Sequence, residues 1–406
     1  MTARIEADLL IPGRGDPISN GVVVLDDDTI VYAGAASGAP ESSGESVVSV
    51  ATVMPGLWEC HGHFLGIEKP DLLAMVTEPV PRQAAKAVGD LQRTLLGGVT
   101  SVREVGGYGL DIQPAIASGR VQGPTVYGAG AVLSTTGGHG DIHSMPLEFV
   151  THSDVGLGIL ADGVPSVLRA VRTNLRKNAK VIKICASGGV MSEVDHPIHQ
   201  QFSHEELVAI VEEAGRAERF VAAHCHGKPG IMAALRAGVQ TIEHGSFLDE
   251  ESADLMVEKG AILVPTRFVV DQLLHMEDIL PPYAYKKGLM VADAHSTALK
   301  VAVARGVKIA MGTDIFVSGD MYGRNSLEIK LLQDAGMSAL DAIEAATANG
   351  PDTLGPQAPL SGQLTEGYDA DVIALDFSPI EDNSAWGTPD RVTHVWQGGE
   401  SVKAPA

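Results

Sequence analysis

The central part of the chain alternates between short runs of β-branched residues and longer stretches with the period of an α-helix. The predicted strands are residues 52–57, 99–103, 125–128, 181–184, 220–223, 241–242, 261–264 and 308–311. The predicted helices include residues 166–177, 203–217, 230–237, 292–305 and 338–348. This alternation is typical of an α/β protein, and eight strands with helices between them predict a (β/α)8 TIM barrel. An open doubly wound sheet is the alternative, but no glycine-rich dinucleotide fingerprint follows any strand.

The two ends of the chain have a different pattern, with short strands separated by turns. Residues 21–25 and 29–33 flank three aspartates, as the strands of a hairpin would, and residues 371–375 and 391–396 are strand-like near the other end. We therefore predict a small β-sandwich domain built from both termini, residues 1–52 with residues 360–406, around a barrel of residues 53–359.

Composition excludes several classes of partner. The 406 residues carry 29 Lys and Arg against 51 Asp and Glu, a formal charge of −22. This charge opposes binding to nucleic acid or to an anionic membrane, because both require clustered cations. Three cysteines form no disulfide framework, and the N-terminus has no basic region followed by an apolar stretch. We expect a cytoplasmic homo-oligomer, without a membrane span, that acts on a small molecule.

Ionisable side chains follow or interrupt several predicted strands. Barrel enzymes have their active sites at the carboxyl ends of the strands. His61 and His63 end the first strand, and side chains two residues apart on a strand point the same way. One such pair is more often structural than metal-binding, but several elements in register favour a metal site. The other candidates are Lys183 in strand four, His224 and His226 after strand five, His244 after strand six and Asp314 after strand eight.

Lys183 lies in the apolar run Val181-Ile182-Lys183-Ile184, where a charged ammonium group would lose much of its hydration. One interpretation is a buried lysine paired with a carboxylate such as Asp314. The interpretation we favour is a neutral lysine that reacts with carbon dioxide, because the carbamate has two oxygens that suit a bridge between two cations.

Several motifs together resemble the amidohydrolase superfamily. They are Met54-Pro55-Gly56-Leu57, His61-Gly62-His63, Lys183, His224, Glu243-His244 and Gly312-Thr313-Asp314. Three further segments resemble its imidazolonepropionase-like and prolidase-like branch, namely Thr136-Gly137-Gly138-His139-Gly140-Asp141, residues 182–190 and residues 222–227. Two positions depart from the usual pattern. Glu59 replaces an aspartate, and Tyr322 stands where relatives often carry histidine.

The resemblance implies a role for each metal-site residue. His61, His63 and Asp314 would hold the more buried of two divalent metal ions, and His224 and His244 the more exposed one. Carboxylated Lys183 would bridge both ions together with a hydroxide. The ions are expected to be zinc, with cobalt, manganese or iron as alternatives. Asp314 would act as a catalytic residue by moving the proton of the hydroxide to the leaving nitrogen.

Two further histidines are candidate catalytic residues. His226 shares a face with His224 and, by the resemblance, would contact the substrate carbonyl. His139 lies in a glycine-rich loop, where contact with the substrate and a loop-stabilising hydrogen bond to Asp141 are equally plausible. The glycine loop 187–192 offers backbone N–H groups that could bind an oxyanion, although such runs are usually only turns.

The residues expected near the mouth are mostly apolar, which predicts a substrate with hydrophobic groups. Candidate substrate contacts are Met191, Tyr322 and two cations, Arg267 and Arg324. We predict hydrolysis of an N-acyl amino acid or dipeptide, whose carboxylate would bind one arginine. If both arginines point elsewhere, the substrate would be a neutral aryl amide, carbamate or phenylurea. A mononuclear deaminase and a non-catalytic scaffold are less favoured, because Lys183 suits a two-metal bridge and no ligand is missing.

Overall fold

The computed structural model describes residues 3–42, 44–71, 73–152 and 158–405. The strands are β1 Ala3–Leu10, β2 Ile18–Asp26, β3 Thr29–Ala35, β4 Ser46–Pro55, β5 Leu57–Gly62, β6 Val99–Glu104, β7 Thr125–Gly128, β8 Val132–Ser134, β9 Gly158–Leu160, β10 Val181–Cys185, β11 Phe220–Cys225, β12 Thr241–His244, β13 Ile262–Val264, β14 Lys308–Ile309, β15 Val372–Leu375, β16 Val392–Gln397 and β17 Glu400–Lys403. The α-helices are α1 Ala74–Thr77, α2 Val80–Leu96, α3 Gly109–Ala117, α4 Leu147–His152, α5 Val164–Arg176, α6 His204–Arg216, α7 Lys228–Ala237, α8 Glu250–Lys259, α9 Arg267–Leu273, α10 Pro282–Arg305, α11 Leu327–Asp334 and α12 Ala339–Ala346.

One mixed sheet contains strands from both ends of the chain, in the order β17-β16-β15-β4-β1-β2-β3. β1 pairs with β4 in parallel, and the other neighbours are antiparallel. The pair Val53–Ala374 lies in the register that joins the two ends. The predicted association of both termini is therefore present in the structure. The strand pairing of the described residues defines one sheet here, so the sandwich and its boundaries stay predictions.

Two parallel sheets form the centre of the molecule, and the fold is mixed α/β as predicted. Seven strands are ordered β14-β13-β12-β11-β10-β8-β9, and three are ordered β5-β6-β7. Strand pairing in the described residues does not join them into one closed ladder, but backbone hydrogen bonds connect them at both sides. Cys60 N donates to Met311 O over 2.8 Å on one side, and Lys180 N donates to Gly128 O over 2.9 Å on the other.

The register of the seven-stranded sheet aligns the ends that carry polar residues. Cys185 pairs with His224, and Cys225 pairs with His244. Apolar residues on the outer face of these strands, such as Ile184 and Ala223, pack against the helices in the main core. The burial of this outer face leaves the carboxyl ends of β10, β11 and β12 to present their other side chains together.

Two differences from the predicted elements affect the site. The predicted strand 52–57 crosses a junction, because β4 ends at Pro55 and β5 begins at Leu57. Gly56 separates them, and a Cβ atom there would lie 2.1 Å from the Thr100 hydroxyl oxygen. α10 begins at Pro282, ten residues before the predicted helix at 292. Its first turns therefore contact the loop that follows β10.

The start of α6 and the end of α10 lie close to their predicted positions, and both have standard helix caps. Ser203 accepts a hydrogen bond from Glu206 N and the Glu206 side chain accepts one from Ser203 N, which forms the capping box of α6. Gly306 ends α10 in the left-handed region, with φ of 74°. None of the helices in the described part of the chain combines the length and apolar character that a membrane span needs.

Candidate metal centre

A cavity of about 650 Å³, including its open mouth, lies at the carboxyl ends of the parallel strands. Its polar floor contains both predicted metal clusters and Lys183. Its described lining residues are His61, His63, Val132, His139, Lys183, Cys185, Val190, Met191, His224, His226, His244, Val269, Val270, Leu273, Val291, Asp314 and Phe316. The six predicted metal ligands and the two predicted catalytic histidines are thus brought together in one cavity.

His61, His63 and Asp314 form one side of the floor. The Asp314 carboxylate oxygen Oδ1 lies 3.2 Å from His63 Nε2 and 3.6 Å from His61 Nε2. Burial raises the pKa of Asp314, but the neighbouring His61 and His63 lower it by more than burial raises it. The carboxyl group therefore has a pKa below its usual value. An ionised carboxylate beside two imidazole nitrogens is a suitable ligand set for a divalent cation.

His224, His226 and His244 form the other side of the floor, and potential ligand atoms of the three lie within 4.8 Å of one another. His224 Nδ1 is 2.9 Å from His244 Nε2. Burial, followed by the neighbouring histidines and Lys183, holds the pKa of His224 and His244 well below the ordinary value. Neutral imidazoles are the form that binds metal. His226, predicted to contact the substrate, also belongs to this cluster.

Lys183 lies between the two clusters and is only 3% exposed. Its Nζ atom is 3.4 Å from His61 Nε2. Among the described residues, no carboxylate oxygen lies within 4.0 Å of Lys183 Nζ, the limit for an ion pair. The alternative ion pair between Lys183 and Asp314 is therefore not formed in the described structure. Burial lowers the pKa of Lys183, and a neutral amine is the form that can react with carbon dioxide.

Hydrogen bonds on the outer side of the imidazole rings orient most of these histidines. A metal-binding histidine normally donates its second ring N–H to a neighbouring acceptor. In four of the rings Nδ1 has a partner away from the cavity, which leaves Nε2 for the site: His61 with Glu243 at 2.7 Å, His63 with Gly106 O at 2.7 Å, His226 with Ser246 at 2.8 Å and His244 with Thr266 at 2.8 Å. This arrangement and the donor set fit a divalent metal.

Arg103 and Glu243 lie behind His61 and contact each other, and sequence reasoning assigned neither a role. Both are fully buried, and Arg103 Nη2 donates to the two Glu243 oxygens over 2.8 and 2.7 Å. Although burial opposes ionisation, Arg103 and the hydrogen bond to His61 keep the pKa of Glu243 well below its usual value. The ionised Glu243 therefore holds His61 as a fixed hydrogen-bond donor. An arginine inside the predicted strand 99–103 was the available signal.

Glu59, noted as a departure from the usual aspartate, joins the first strand to the segment after β14. Its side chain is 1% exposed. One carboxylate oxygen accepts from His61 N and Thr313 N, each over 2.9 Å, and the other accepts from the Thr313 hydroxyl and from Asn325 Nδ2 over 2.6 and 2.7 Å. The longer glutamate side chain therefore fixes the backbone between His61 and Asp314.

Backbone conformation is unusual at three positions of the site. His244, Thr266 and Asp314 have φ angles of 69°, 54° and 58°, in the left-handed region that residues other than glycine seldom adopt. Such conformations cost on the order of 1–3 kcal/mol each and persist where surrounding contacts hold them. Two of these residues, the candidate ligands His244 and Asp314, line the cavity, and Thr266 lies behind His244 as its hydrogen-bond partner.

His139 lies at the edge of the cavity and stacks on His224, with ring centroids 4.2 Å apart. Its Nδ1 atom is 2.9 Å from the Ser192 hydroxyl, while Asp141 accepts from Gly137 N. The suggested bond between His139 and Asp141 is therefore not the contact that the structure shows. A Cβ atom on Gly189 would lie 2.0 Å from His139 Nδ1, so only glycine admits the ring at this distance.

Three backbone N–H groups of the glycine loop already have hydrogen-bond acceptors. Ser187 N donates to His224 O, Gly188 N donates to His199 O and Gly189 N donates to an Asp195 carboxylate oxygen. These three groups cannot serve an oxyanion without losing their present partners, which argues against that role.

Of the four predicted substrate contacts, only Met191 lines the cavity in the described part of the chain. Tyr322 is 4% exposed, and its hydroxyl donates to His63 O over 2.5 Å, so it supports the backbone of a candidate ligand. Arg267 begins α9, and its Nη1 atom is buried without a hydrogen-bond partner among the residues that the structure describes. Arg324 donates its backbone N–H to Met321 O in a turn. Apolar side chains make up most of the remaining wall.

Comparison with known proteins agrees with this geometry. The model of the amidohydrolase family matches residues 52–402. A curated relative named ochratoxinase, from Aspergillus niger, is 44% identical over 99% of this chain and 86% of its own length. Its crystal structure superposes with a TM-score of 0.93 at 43% identity, covering all of this chain and 96% of the other.

Two further solved structures extend the comparison. A Xaa-Pro dipeptidase with methionine bound in its active site is 31% identical, with a TM-score of 0.89 and full coverage of both chains. Phenylurea hydrolase B is 22% identical over 99% of this chain and 97% of its own, and its TM-score of 0.79 indicates a shared fold. The family match spans most of the sequence and includes every candidate ligand, so the expected resemblance is confirmed and the chain belongs to the amidohydrolase family.

Proposed function

We propose that this chain is a metal-dependent hydrolase that cleaves the amide bond of an N-acyl amino acid or dipeptide with hydrophobic groups. The observation that carries the proposal is the cluster of six candidate ligands on the floor of a cavity with an apolar wall. Five of these ligands are buried, and Asp314 is partly exposed toward the cavity. The neighbouring hydrolases in the family support a reaction at a carbon–nitrogen bond.

The fold that best accounts for the ligand positions is a closed (β/α)8 barrel. The hydrogen bonds of Cys60 to Met311 and of Lys180 to Gly128 support closure at the two gaps between the parallel sheets. Asp314 N also donates to His61 O over 2.9 Å. In a closed barrel these strand ends meet at one face, which is where barrel enzymes bind substrate. The terminal sheet would then be a separate sandwich of residues 1–52 and 360–406.

We assign His61, His63 and Asp314 to one divalent ion, His224 and His244 to a second, and carboxylated Lys183 to a bridge between them. The position of Lys183 between the two clusters supports this assignment. Zinc is the first candidate, and cobalt, manganese and iron suit the same ligands. Bound ions would activate a water molecule as the nucleophile and polarise the scissile carbonyl.

Asp314 is the candidate proton carrier of the reaction. Its lowered pKa keeps it ionised near neutral pH, so it can take a proton from the attacking water and return it to the leaving nitrogen. An amide nitrogen leaves poorly until it is protonated, and this second transfer completes the cleavage. His226 and His139 face the same cavity and are suited to hydrogen bonds with the substrate.

The cavity wall supports a substrate with apolar groups on one side. Val190, Met191, Leu273, Val291 and Phe316 contribute to this wall. The relative with bound methionine in its active site supports an amino-acid portion in the substrate, and the ochratoxinase relative, by its name, acts on an ochratoxin. Both likenesses favour an acyl amino acid over a ring that is deaminated.

One observation favours a neutral substrate instead. Neither Arg267 nor Arg324 belongs to the described lining of the cavity, so no arginine stands ready to bind a substrate carboxylate there. A neutral aryl amide, carbamate or phenylurea needs no such partner. This is the second candidate function.

Matched pairs of substrates separate the two candidates. The metal-replete enzyme is given a hydrophobic N-acyl phenylalanine, the corresponding phenylalanine amide, an anilide and a phenylurea, and product release is followed by chromatography. Preference for the free acid over its amide supports the acyl amino acid. Equal or greater activity on the neutral members supports the alternative. Metal analysis of the same preparation should find two ions per chain, and an inactive chain without bound metal would overturn both.

We also propose a cytoplasmic homo-oligomer. Cys60, Cys185 and Cys225 are all free and buried, which agrees with a reducing compartment. Phe149 and Val194 expose 58% and 73% of their surfaces, as apolar residues of an interface between copies would in an isolated chain. Light scattering coupled to size exclusion measures the mass, and a monomer at micromolar concentration would contradict the proposal.

A further inference from the structure

The loop after β10 returns close to its starting point before α6 begins. Gly188 N donates to His199 O over 3.0 Å, and Gln201 N donates to Ala186 O over 2.8 Å. These bonds close the base of the loop and leave its tip, residues 189–195, against the cavity. We call this tip the cap loop. Two of its residues, Val190 and Met191, belong to the apolar wall.

Two residues of α10, one helical turn apart, bind the backbone of the cap loop. Lys287 Nζ donates to Ser192 O over 2.7 Å, to Asp195 O over 2.5 Å and to Gly189 O over 3.3 Å. Tyr283 donates its hydroxyl to Met191 O over 3.3 Å. An ammonium group has three N–H donors, and here three backbone carbonyls face it. Residues four apart on a helix share one face, so α10 holds the cap loop through a single surface.

Asp195 links this contact to the cavity. Its side chain is 5% exposed, and one carboxylate oxygen lies 3.4 Å from Lys287 Nζ. The same oxygen accepts a short hydrogen bond from the Ser192 hydroxyl. Because the Ser192 proton is given to a carboxylate, the Ser192 oxygen is left to accept from His139 Nδ1, 2.9 Å away. His139 then carries its neutral-state proton on Nδ1, and Nε2 is free to meet the substrate.

We propose that Lys287 is a positioning residue that sets substrate selectivity, by holding the cap loop so that Ser192 orients His139 and Met191 completes the apolar wall. The inference rests on the proposed function, and it adds a residue that lies outside the cavity lining. Lys287 is 13% exposed at its side chain, so its contacts with the carbonyls are sheltered from water and ions.

The contacts of Lys287 explain how this one side chain can both place Met191 in the apolar wall and orient His139. Gly189 O, Ser192 O and Asp195 O lie on either side of Met191 in the sequence, and their common donor fixes the loop segment that bears it. His139 is held between Gly189 and the ring of His224. A displaced cap loop therefore moves the apolar wall and releases His139 at the same time.

Lys287→Met is the main variant, since methionine keeps the apolar stem and removes the three donors. Lys286→Met is the matched control, because Lys286 is the exposed neighbour on the same helix. Ser192→Ala is the second variant, which removes the His139 partner and leaves the backbone carbonyl that binds Lys287. Each protein is assayed for kcat and KM on the best substrate and on one with a smaller acyl group, for metal content, and for hydrogen exchange of the peptide 186–202.

For Lys287→Met we expect kcat/KM to fall about 10- to 100-fold on the larger substrate, with metal content as in the wild type. On the smaller substrate kcat/KM should fall less. Amide hydrogen exchange should become faster in residues 186–202 and in no other segment. Ser192→Ala should lower kcat with exchange of the loop unchanged, and Lys286→Met should match the wild type in every measurement.

Several results would overturn the positioning role of Lys287. They are wild-type kinetics in Lys287→Met, an equal loss on both substrates, unchanged exchange of the loop, or a loss of activity that follows a loss of metal. A wild-type enzyme that binds metal but cleaves no member of the panel overturns the proposed function instead. In that case the exchange rates still decide whether Lys287 holds the cap loop.

Discussion

Two buried glutamates, Glu243 and Glu328, lie on different sides of the site and differ in charge state. Glu243 lies beneath the candidate ligands, where Arg103 holds its pKa well below the usual value. Glu328 of α11 lies beside the start of α9, where it accepts from Arg267 N and Phe268 N over 2.8 and 2.5 Å. Burial raises the pKa of Glu328 to about 8. Both side chains are fully buried, and Glu243 differs by its direct contact with the buried Arg103 and by its hydrogen bond to His61.

The comparison separates the layer that we propose binds metal from the layer that we propose selects the substrate. We call the first the ligand layer, the carboxyl ends of β5, β10, β11 and β12 with Asp314. We call the second the cap, which comprises the cap loop, α9 and the first turns of α10. Charged groups and short hydrogen bonds fix the ligand layer. Apolar packing around Val190, Leu273 and Val291 holds the cap, with Lys287 as its main polar contact. Damage to the first should remove metal, and damage to the second should change which substrate is cleaved.

The largest effect is expected in the ligand layer at Lys183. Lys183→Ala removes the proposed bridge, so we expect activity to disappear and metal content to fall below two ions per chain. Addition of acetate should restore part of the activity, because its two oxygens can occupy the same position. Lys177→Ala, at an exposed position, is the control. Normal turnover in Lys183→Ala would exclude the bridge.

Glu243→Gln tests the support beneath the ligands. It leaves the Arg103 charge buried without an anion, which typically costs about 3–5 kcal/mol of stability. Glutamine has one acceptor oxygen where Glu243 has two, and it has no negative charge, so it is a weaker partner for His61 and should also lower metal affinity by about 10- to 100-fold. Urea unfolding and a metal titration measure the two effects. Glu258→Gln, on the exposed face of α8, should change neither. An unchanged metal affinity would show that Glu243 does not orient His61.

Glu328→Gln tests the charge state assigned to Glu328, which binds the start of α9 in the cap. The pKa of Glu328 is higher in the folded protein, about 8, than its usual value of 4.5. Its protonation therefore stabilises the fold fully below pH 4.5, and this contribution is lost as the pH rises through about 8. Glutamine stays neutral, so the variant should gain stability relative to the wild type between pH 5 and pH 9, by on the order of a few kcal/mol.

Urea midpoints at the two pH values measure this difference, with the exposed Glu366→Gln as control. A constant difference between the wild type and Glu328→Gln would show that Glu328 is already ionised at pH 5. The comparison of the two glutamates would then fail.

Gly189→Ala tests the contact between the cap and the ligand layer. The new Cβ atom would lie 2.0 Å from His139 Nδ1, so the imidazole ring must move. We expect kcat/KM to fall about 100-fold with metal content unchanged. Gly215→Ala is the control, because a Cβ atom there meets nothing within 4 Å and a helical position favours alanine. Loss of metal in Gly189→Ala would place His139 in the ligand layer instead.

The elements that sequence reasoning located best are those with strong local patterns. β7 has the predicted bounds, and α6 differs by one residue at each end because its capping residues are explicit in the sequence. β8 and β9 were missed, since three-residue strands carry too little periodicity to be recognised. The start of α10 was placed late because Pro282 and the tyrosines after it depart from a strong helical composition.

The candidate site divides in the same way. The candidate ligand histidines, His226 and Lys183 were found because each lies on or directly after a strand and lines the cavity. His139 was found only through its glycine-rich loop, which resembles the family. Tyr322, Arg267 and Arg324 lie in turns or at a helix start, where sequence spacing does not define the direction of a side chain. The structure places Tyr322 against His63 O rather than in the cavity.

Sequence alone therefore determined the family, the alternation of strands and helices and the residues offered to a metal, because these depend on local spacing. Tertiary structure decided which buried carboxyl groups are charged, how Arg103 and Glu243 orient His61, and how Lys287 reaches the cap loop from 92 residues away in the chain. Charge states and loop positions depend on neighbours that are distant in sequence. Only the folded chain brings those neighbours within hydrogen-bond distance.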